Sequence, residues 1–142
     1  MGWTFQSGST RKSLIDERTR PWERETNGGT IKTTCLAHCF RGGRFSGVLW
    51  AVWERIIEQN GQPTELTQRW ITCDLIRCHA GDWGYKDMSE ACGPFYYSCP
   101  MKYLDLVPLE RYGGNAEWRQ HVRDHHARQR EKRQRKRSQL AS

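Results

Sequence analysis

The segment between positions 79 and 90 contains the densest group of chemically active side chains in the sequence. It combines titratable groups with two aromatic rings: His79, Asp82, Trp83, Tyr85, Lys86, Asp87 and Glu90. A histidine near carboxylates can act as a general base, and either Asp82 or Asp87 could orient His79 for that role. The sequence has no G-x-S-x-G nucleophile elbow and no Walker phosphate loop. Because of His79 and its neighbouring carboxylates, one hypothesis is a small enzyme that uses this segment to act on nucleic acid or nucleotides.

The same segment is also typical of a contact surface. Rigid aromatic rings between charged side chains give a large contact area at a low cost in entropy, which suits binding hot spots. We predict a binding surface made of Trp83, Tyr85, Lys86, Asp87 and Glu90. A structural alternative stays open, in which Trp83 fills the core and Lys86 pairs with Glu90 along a helix.

The six cysteines and five histidines raise the question of a metal site. No C-x-x-C pair and no H-E-x-x-H pattern is present. If Ile31–Phe40 is a strand, Cys35 and Cys39 lie about 13 Å apart, which is too far to ligate one tetrahedral ion. We therefore predict no metal and no cofactor, with reduced cysteines packed among tryptophans. A zinc site assembled across strands, in a structural module, is the alternative.

The net positive charge is confined to the end of the chain. The chain has a net charge of +7, and residues 119–142 contain nine basic and two acidic residues, which accounts for all of it. Nucleic acid is the commonest polyanion in a cell, so we expect this tail to bind phosphates without sequence preference. The residues predicted to do so are Arg123, Arg128, Arg130, Lys132, Arg133, Arg135, Lys136 and Arg137.

Length and composition predict one domain, formed by residues 1–118, with a basic helical or disordered tail at 119–142. Seven tryptophans can supply a small core. The chain begins without a basic segment followed by an apolar run, and no stretch approaches the ~20 apolar residues that span a bilayer. We therefore expect a cytoplasmic protein without membrane contact.

The elements that must position these residues follow from the spacing of apolar side chains. Ser9 or Thr10 should cap a helix that ends at Thr19. Three runs rich in β-branched and aromatic residues are predicted strands: Ile31–Phe40, Val48–Ile57 and Thr67–Cys78. The second run could instead be a helix, because its apolar residues do not alternate cleanly.

Beyond the strands, we predict a loop at Ala80–Gly84 and a short helix at Tyr85–Cys92. A long helix should begin after Asn115. The predicted fold class is α+β: a three-stranded or larger antiparallel sheet packed by helices, with an extended basic C-terminal helix.

Several longer motifs resemble a family of small proteins encoded by bacteriophages, plasmids and integrative elements. The motifs are Met1-Gly2-Trp3, Cys35-Leu36-Ala37-His38-Cys39, the segment Trp83 to Met88, the segment Gly93 to Pro100, and Lys102-Tyr103-Leu104-Asp105. The resemblance implies a bacterial host and an accessory role on a mobile element, where such genes counter host defence or handle the DNA of the element. It implies no particular activity.

Together, the charge and the resemblance predict a non-enzymatic accessory protein of a mobile element. Its expected partners are nucleic acid, a host defence protein complex, or both. The tail would hold phosphates, and the segment at positions 83–90 would make the specific contact.

Overall fold

The structure, a computed structural model, describes residues 2–64, 68–88, 99–107 and 116–141, without the side chains of residues 116–119, 121 and 122. Strands dominate the described part of the chain. They are β1 (Thr4–Gln6), β2 (Trp22–Thr26), β3 (Gly29–Gly42), β4 (Ser46–Gln59), β5 (Gln62–Pro63), β6 (Gln68–His79) and β7 (Asp82–Asp87). The helices are α1 (Arg11–Arg18), α2 (Met101–Leu104) and α3 (Ala116–Ala141).

The strands form a single antiparallel sheet that curls into a half-barrel. Its order is β1-β7-β6-β4-β3-β2, and the short strand β5 pairs with the end of β4. The longest ladder joins β3 to β4, from Gly29 opposite Gln59 to Gly42 opposite Gly47, with a bulge between Cys35 and Ala37. All three predicted strands are present. Strands β3 and β4 extend beyond their predicted bounds at both ends. Strand β6 continues one residue past its predicted end, and Thr67, its predicted first residue, lies outside the described residues.

The central strand β4 is buried on both faces of the sheet. Its residues from Val48 to Trp53 are all buried. A strand that is covered on both faces reads as a continuous apolar run and not as an alternating one. This explains why Val48–Ile57 lacks clean alternation although it is a strand.

Two apolar clusters lie on opposite faces of β4. The larger one packs β4 and β6 against α2 and contains Val48, Trp50, Val52, Ile71, Cys73, Cys99, Tyr103, Leu104 and Val107. The smaller one, on the other face, contains Leu14, Leu49 and Ile76. Leu14 belongs to α1, so this helix is fixed to the sheet by a single fully buried side chain.

Helix α1 forms where the sequence predicts it. The Thr10 hydroxyl accepts a hydrogen bond from the Ser13 N–H at 3.1 Å, and the Ser13 hydroxyl accepts one from the Thr10 N–H at 2.9 Å. This reciprocal cap satisfies two of the N–H groups that a helix leaves open at its start. Thr19 caps the other end.

The predicted α+β fold class is wrong, because a curled antiparallel sheet makes up most of the fold and helices cover little of it. In the part of the chain that the structure describes, strands contain 56 residues and helices 38, so the fold is mostly β. Helices α1 and α2 have only eight and four residues. The long helix α3 has no large apolar residue between Arg123 and Gln139, so this stretch has no stripe with which to cover a sheet.

The loop and helix predicted after Cys78 are also wrong. Ala80 and Gly81 form a two-residue turn with φ of 51° and 88°, values that suit the mirror-image turns of hairpins. Strand β7 follows directly. Gly84 lies within β7. A larger residue does not fit at this position, because its Cβ would meet the Phe5 ring at 2.5 Å. The rest of the predicted helix, residues 89–92, lies outside the described residues.

In the described part of the chain, no helix is both long and apolar enough to cross a membrane. Helix α3 begins at Ala116, so the predicted boundary between body and tail falls within its first turn. That division of the chain stays a prediction.

Replacement of Leu14 tests how α1 is held. We expect Leu14→Ala to lower the free energy of unfolding by about 2–5 kcal/mol, because it opens a cavity between the helix and the sheet. Leu140→Ala is the matched control, since its side chain is 87% exposed, and it should change stability by less than about 0.5 kcal/mol. Chemical denaturation measures both. Equal effects of the two variants would contradict the packing described for α1.

Candidate nucleic-acid interface

All eight residues predicted to bind nucleic acid lie in helix α3 and are exposed. The helix has 26 residues, which makes it about 39 Å long at ~1.5 Å per residue. Because a helix turns by about 100° per residue, the spacing of these cations distributes them around about two thirds of its circumference. The remaining third carries Asp124 and Glu131. Between Arg123 and Gln139 the helix has no apolar side to bury, so its wide cationic side stays open to a polyanion.

A second group of cations lies on the sheet, in a groove beside α1 with a volume of about 810 Å³. We call it the α1 groove. The residues that give it its chemical character are Arg11, Lys12, His38, Phe40, Arg44 and Trp83. Asp16 is the one carboxylate among its lining residues, against three permanent cations. The groove therefore combines net positive charge with two aromatic rings, a composition that suits the backbone and bases of single-stranded nucleic acid.

Arg11 is held in the α1 groove by two contacts. Its Nη1 donates a hydrogen bond to the Gly43 carbonyl at 3.2 Å. Its Cζ lies 4.8 Å from the centroid of the Phe40 ring and 5.9 Å from that of Trp83. A guanidinium has five N–H donors in a rigid fork, so a fixed Arg11 retains donors for a phosphate.

Trp83 and Tyr85 pack against the smaller apolar cluster and are half-buried. The Arg18 Cζ lies 3.9 Å from the centroid of the Tyr85 ring. Trp83 has two roles, since it supports α1 and also lines the α1 groove. Part of the Trp83 ring thus lies in the core, as in the structural alternative that the sequence left open, and part lines the groove.

The remaining residues of the predicted binding surface are placed differently. Lys86 lies opposite Leu75, and Asp87 opposite Asp74. Since side chains alternate along a strand, Lys86 projects to the other face from Tyr85 and Asp87. Glu90 lies outside the described residues. The premise that this segment is an irregular loop is wrong, and the assignment of its residues to a binding surface stays a prediction.

The candidate catalytic residues are spread along the β6–β7 hairpin. His79 and Asp82 face each other next to the turn, so Asp82 can reach His79. Asp87 lies five residues further along β7, about 16 Å away at ~3.3 Å per residue, and is too far to orient that ring. Asp82 Oδ1 accepts a hydrogen bond from the Gly8 N–H at 3.1 Å, and the His79 ring lies 5.7 Å from Phe5. Both contacts attach the N-terminal segment to the hairpin.

The cysteines of the described residues are buried or half-buried thiols. Burial raises the pKa of Cys99 to about 12, and it also raises the pKa of Cys35, whose Sγ donates to the Ala37 carbonyl at 3.3 Å. Among the residues that the structure describes, no group of three or more His, Cys, Asp or Glu side chains could hold a metal ion. Cys92 lies outside the described residues.

The residues that sequence reasoning missed are Arg11, Lys12, His38, Phe40 and Arg44. They come from α1, from β3 and from the β3–β4 turn, so they are up to 33 positions apart in the chain. The cations beside Gly42 and Gly43 are the only local signal. These residues come together only in the folded protein, where the buried Leu14 holds α1 against the sheet.

The burial of Cys99 predicts selective alkylation. With a pKa of about 12, this thiol is neutral at pH 8 and is also closed to reagents, so iodoacetamide should leave it intact in the folded protein. The half-exposed Cys78 is the internal control and should react faster. Peptide mapping by mass spectrometry, with and without denaturant, measures both. Modification of native Cys99 at the rate of Cys78 would show that α2 does not cover it.

Comparisons of the chain with protein-family models, with curated proteins and with solved structures found no match. The resemblance to proteins of mobile elements therefore stays a prediction.

Proposed function

We propose that this protein binds nucleic acid, without catalysing a reaction on it, as an accessory protein of a bacterial mobile element. The observation that carries the proposal is helix α3, whose eight exposed cations cover about two thirds of its circumference and have no large apolar residue between them. Such a helix gains little from packing on its own protein and much from the release of counterions on a polyanion.

The α1 groove supports the same function on the body of the protein. Residues 1–118 are neutral overall, with 14 basic and 14 acidic residues, yet Arg11, Lys12 and Arg44 line one groove together with a single carboxylate. Phe40 and Trp83 line the same groove, and the Arg11 guanidinium lies over both rings. Stacking on aromatic rings gives about 1–3 kcal/mol per base and tolerates any sequence.

An accessory role fits two surfaces, α3 and the α1 groove, that bind nucleic acid in different ways. Helix α3 would hold nucleic acid of any sequence, and the α1 groove would select strands with accessible bases. The bound strand could belong to the element itself or to a host defence complex that is engaged on it. We do not propose an enzyme, because His79 and Asp82 both have structural contacts with the N-terminal segment.

Removal of the basic tail tests the contribution of α3. If five to seven of its cations meet phosphates, the logarithm of the affinity for duplex DNA should fall with the logarithm of salt concentration at a slope of about −4 to −6. Deletion of residues 123–142 should flatten this slope while the body stays folded. Fluorescence anisotropy over a salt series measures it.

A full-length variant with glutamine at the eight basic positions is the matched control for that deletion. It keeps the length of α3 and removes only the charge, so it should behave like the deletion. An unchanged salt slope in either protein would overturn the role of the tail.

Charge removal in the α1 groove tests the body separately. In the tail-deleted protein, we expect Arg11→Gln combined with Arg44→Gln to reduce the salt slope on single-stranded DNA by about 1.4, since each phosphate contact contributes about 0.7. Both side chains are exposed, so stability should change by less than about 0.5 kcal/mol.

Lys86→Gln is the control for the groove, because it removes a cation from the opposite face. It should leave the slope unchanged. A loss of binding in Lys86→Gln, with normal binding in the groove variant, would favour the surface predicted from the sequence over the α1 groove.

A further inference from the structure

A smaller cavity of about 300 Å³ lies at the C-terminal end of α1. We call it the tryptophan pocket. The residues on which its chemistry depends are Trp22, Thr33, Trp53, Trp70, Thr72 and Asp74. They come from β2, β3, β4 and β6, which are consecutive neighbours in the sheet. Its volume lies at the lower end of the range for small-molecule sites.

The tryptophans form a rigid aromatic wall. Trp53 and Trp70 are cross-strand neighbours, with ring centroids 6.5 Å apart and planes inclined by 15°. Trp53 Nε1 donates a hydrogen bond to the Thr72 hydroxyl at 2.9 Å, which fixes the orientation of the indole. Trp22 is 44% exposed on the edge strand β2, so part of its large apolar ring faces solvent at the mouth of the pocket.

The polar groups of the pocket are buried and have capacity left for a ligand. Thr33 is 1% exposed, and its hydroxyl has no hydrogen-bond partner among the described residues. Buried hydroxyls in native proteins nearly always have a partner, so this one points to a group that the pocket receives.

Asp74 is the second such group. It is 4% exposed, and its two oxygens accept hydrogen bonds from Arg18 at 3.0 and 3.3 Å. An ionised carboxylate has about four acceptor positions, so two remain for the N–H groups of a ligand.

We propose that the tryptophan pocket binds one unpaired nucleobase, with the ring against the tryptophans and its N–H edge on Asp74 and Thr33. The inference rests on the proposed function and names the part of the nucleic acid that the body recognises. Guanine suits the pocket best, since it presents adjacent N–H donors to a carboxylate. Arg20, at the rim of the pocket, is placed to meet the phosphate.

A quaternary ammonium ion also favours aromatic cages, but the charges here are unsuitable for a cation. Arg18 neutralises Asp74 in a direct ion pair. Arg20 adds a further positive charge, against which only Glu17 remains among the lining residues. The lining is therefore neutral overall, which suits a planar neutral base better than a cation.

Titration of the full chain with single nucleotides tests the proposal. At high salt, where binding to α3 is screened, calorimetry should detect GMP and should find ribose 5-phosphate at least tenfold weaker, because that compound lacks the base. Equal binding of the two compounds would show that only phosphate is recognised, and would overturn the proposal. Binding of choline without binding of GMP would also overturn it.

Three variants separate a ligand contact from a structural effect. Thr33→Val keeps the shape and removes the hydroxyl, so it should weaken GMP binding about threefold to tenfold while stability is unchanged or higher. Trp22→Ala should weaken GMP binding about tenfold or more. Trp3→Ala is the control, since Trp3 lies outside the pocket and contacts Phe5 and Arg77, and it should not change GMP binding. Normal GMP binding in both folded pocket variants would overturn the proposal.

The proposal and the function on which it rests fail in different ways. If α3 binds DNA with the expected salt slope but GMP does not bind, the pocket proposal is overturned and the proposed function stands. If GMP binds in the pocket but the full chain does not bind DNA or RNA, the pocket is supported as a mononucleotide site and the proposed function is overturned.

Discussion

The burial of β4 on both faces is the constraint on which the rest of the structure depends. Because the strand from Val48 to Trp53 is apolar throughout, the sheet must be covered twice. Residues 99–107, including α2, cover one face with Cys99, Tyr103 and Leu104. Among the residues that the structure describes, α1 covers part of the other face, and two cavities lie beside it. The two candidate binding sites both lie on this partly covered face.

Helix α1 divides that face into two sites of different chemistry. Its N-terminal half borders the α1 groove, and its C-terminal end borders the tryptophan pocket. Leu14 anchors the middle of the helix, and Arg18 anchors its last turn through Asp74. Burial raises the pKa of Asp74 although Arg18 lies beside it. The loss of hydration therefore outweighs the attraction of the guanidinium, and such a pair is weak evidence for stability. Both residues also line the tryptophan pocket, where we propose that Asp74 contacts a ligand.

The sequence predicted those elements whose pattern is set by local chemistry. The cap of α1 depends on Thr10 and Ser13, and the predicted helix has the right bounds. The three long strands follow from β-branched and aromatic runs. Strand β2 could not be predicted in this way, because all five of its residues are exposed at the edge of the sheet and give no alternation. Strand β7 was obscured by Gly84, which reads as a loop residue until the Phe5 ring is placed over it.

The candidate sites were harder to predict than the helices and strands, because their residues are far apart in the sequence and meet only through strand pairing. The sequence brings Trp83 and Tyr85 to notice because they are adjacent to charges in the chain, whereas the sheet brings together residues that are far apart. Trp22, Trp53 and Trp70 read as separate core residues in the sequence. Only the pairing of β2 with β3, and of β4 with β6, places them at one cavity.

If helix α3 and the tryptophan pocket bind as proposed, their affinities would depend on different properties, charge in α3 and shape in the pocket. Affinity that comes from α3 depends on the number of cations and on salt, and is insensitive to sequence. The proposed recognition of a base in the tryptophan pocket would depend on stacking and on two buried polar groups, Thr33 and Asp74, and would be less affected by salt. A protein with both sites would be held near nucleic acid by its tail until an unpaired base reaches the tryptophan pocket. Selection at the body then needs only modest affinity, because the tail raises the local concentration of the strand.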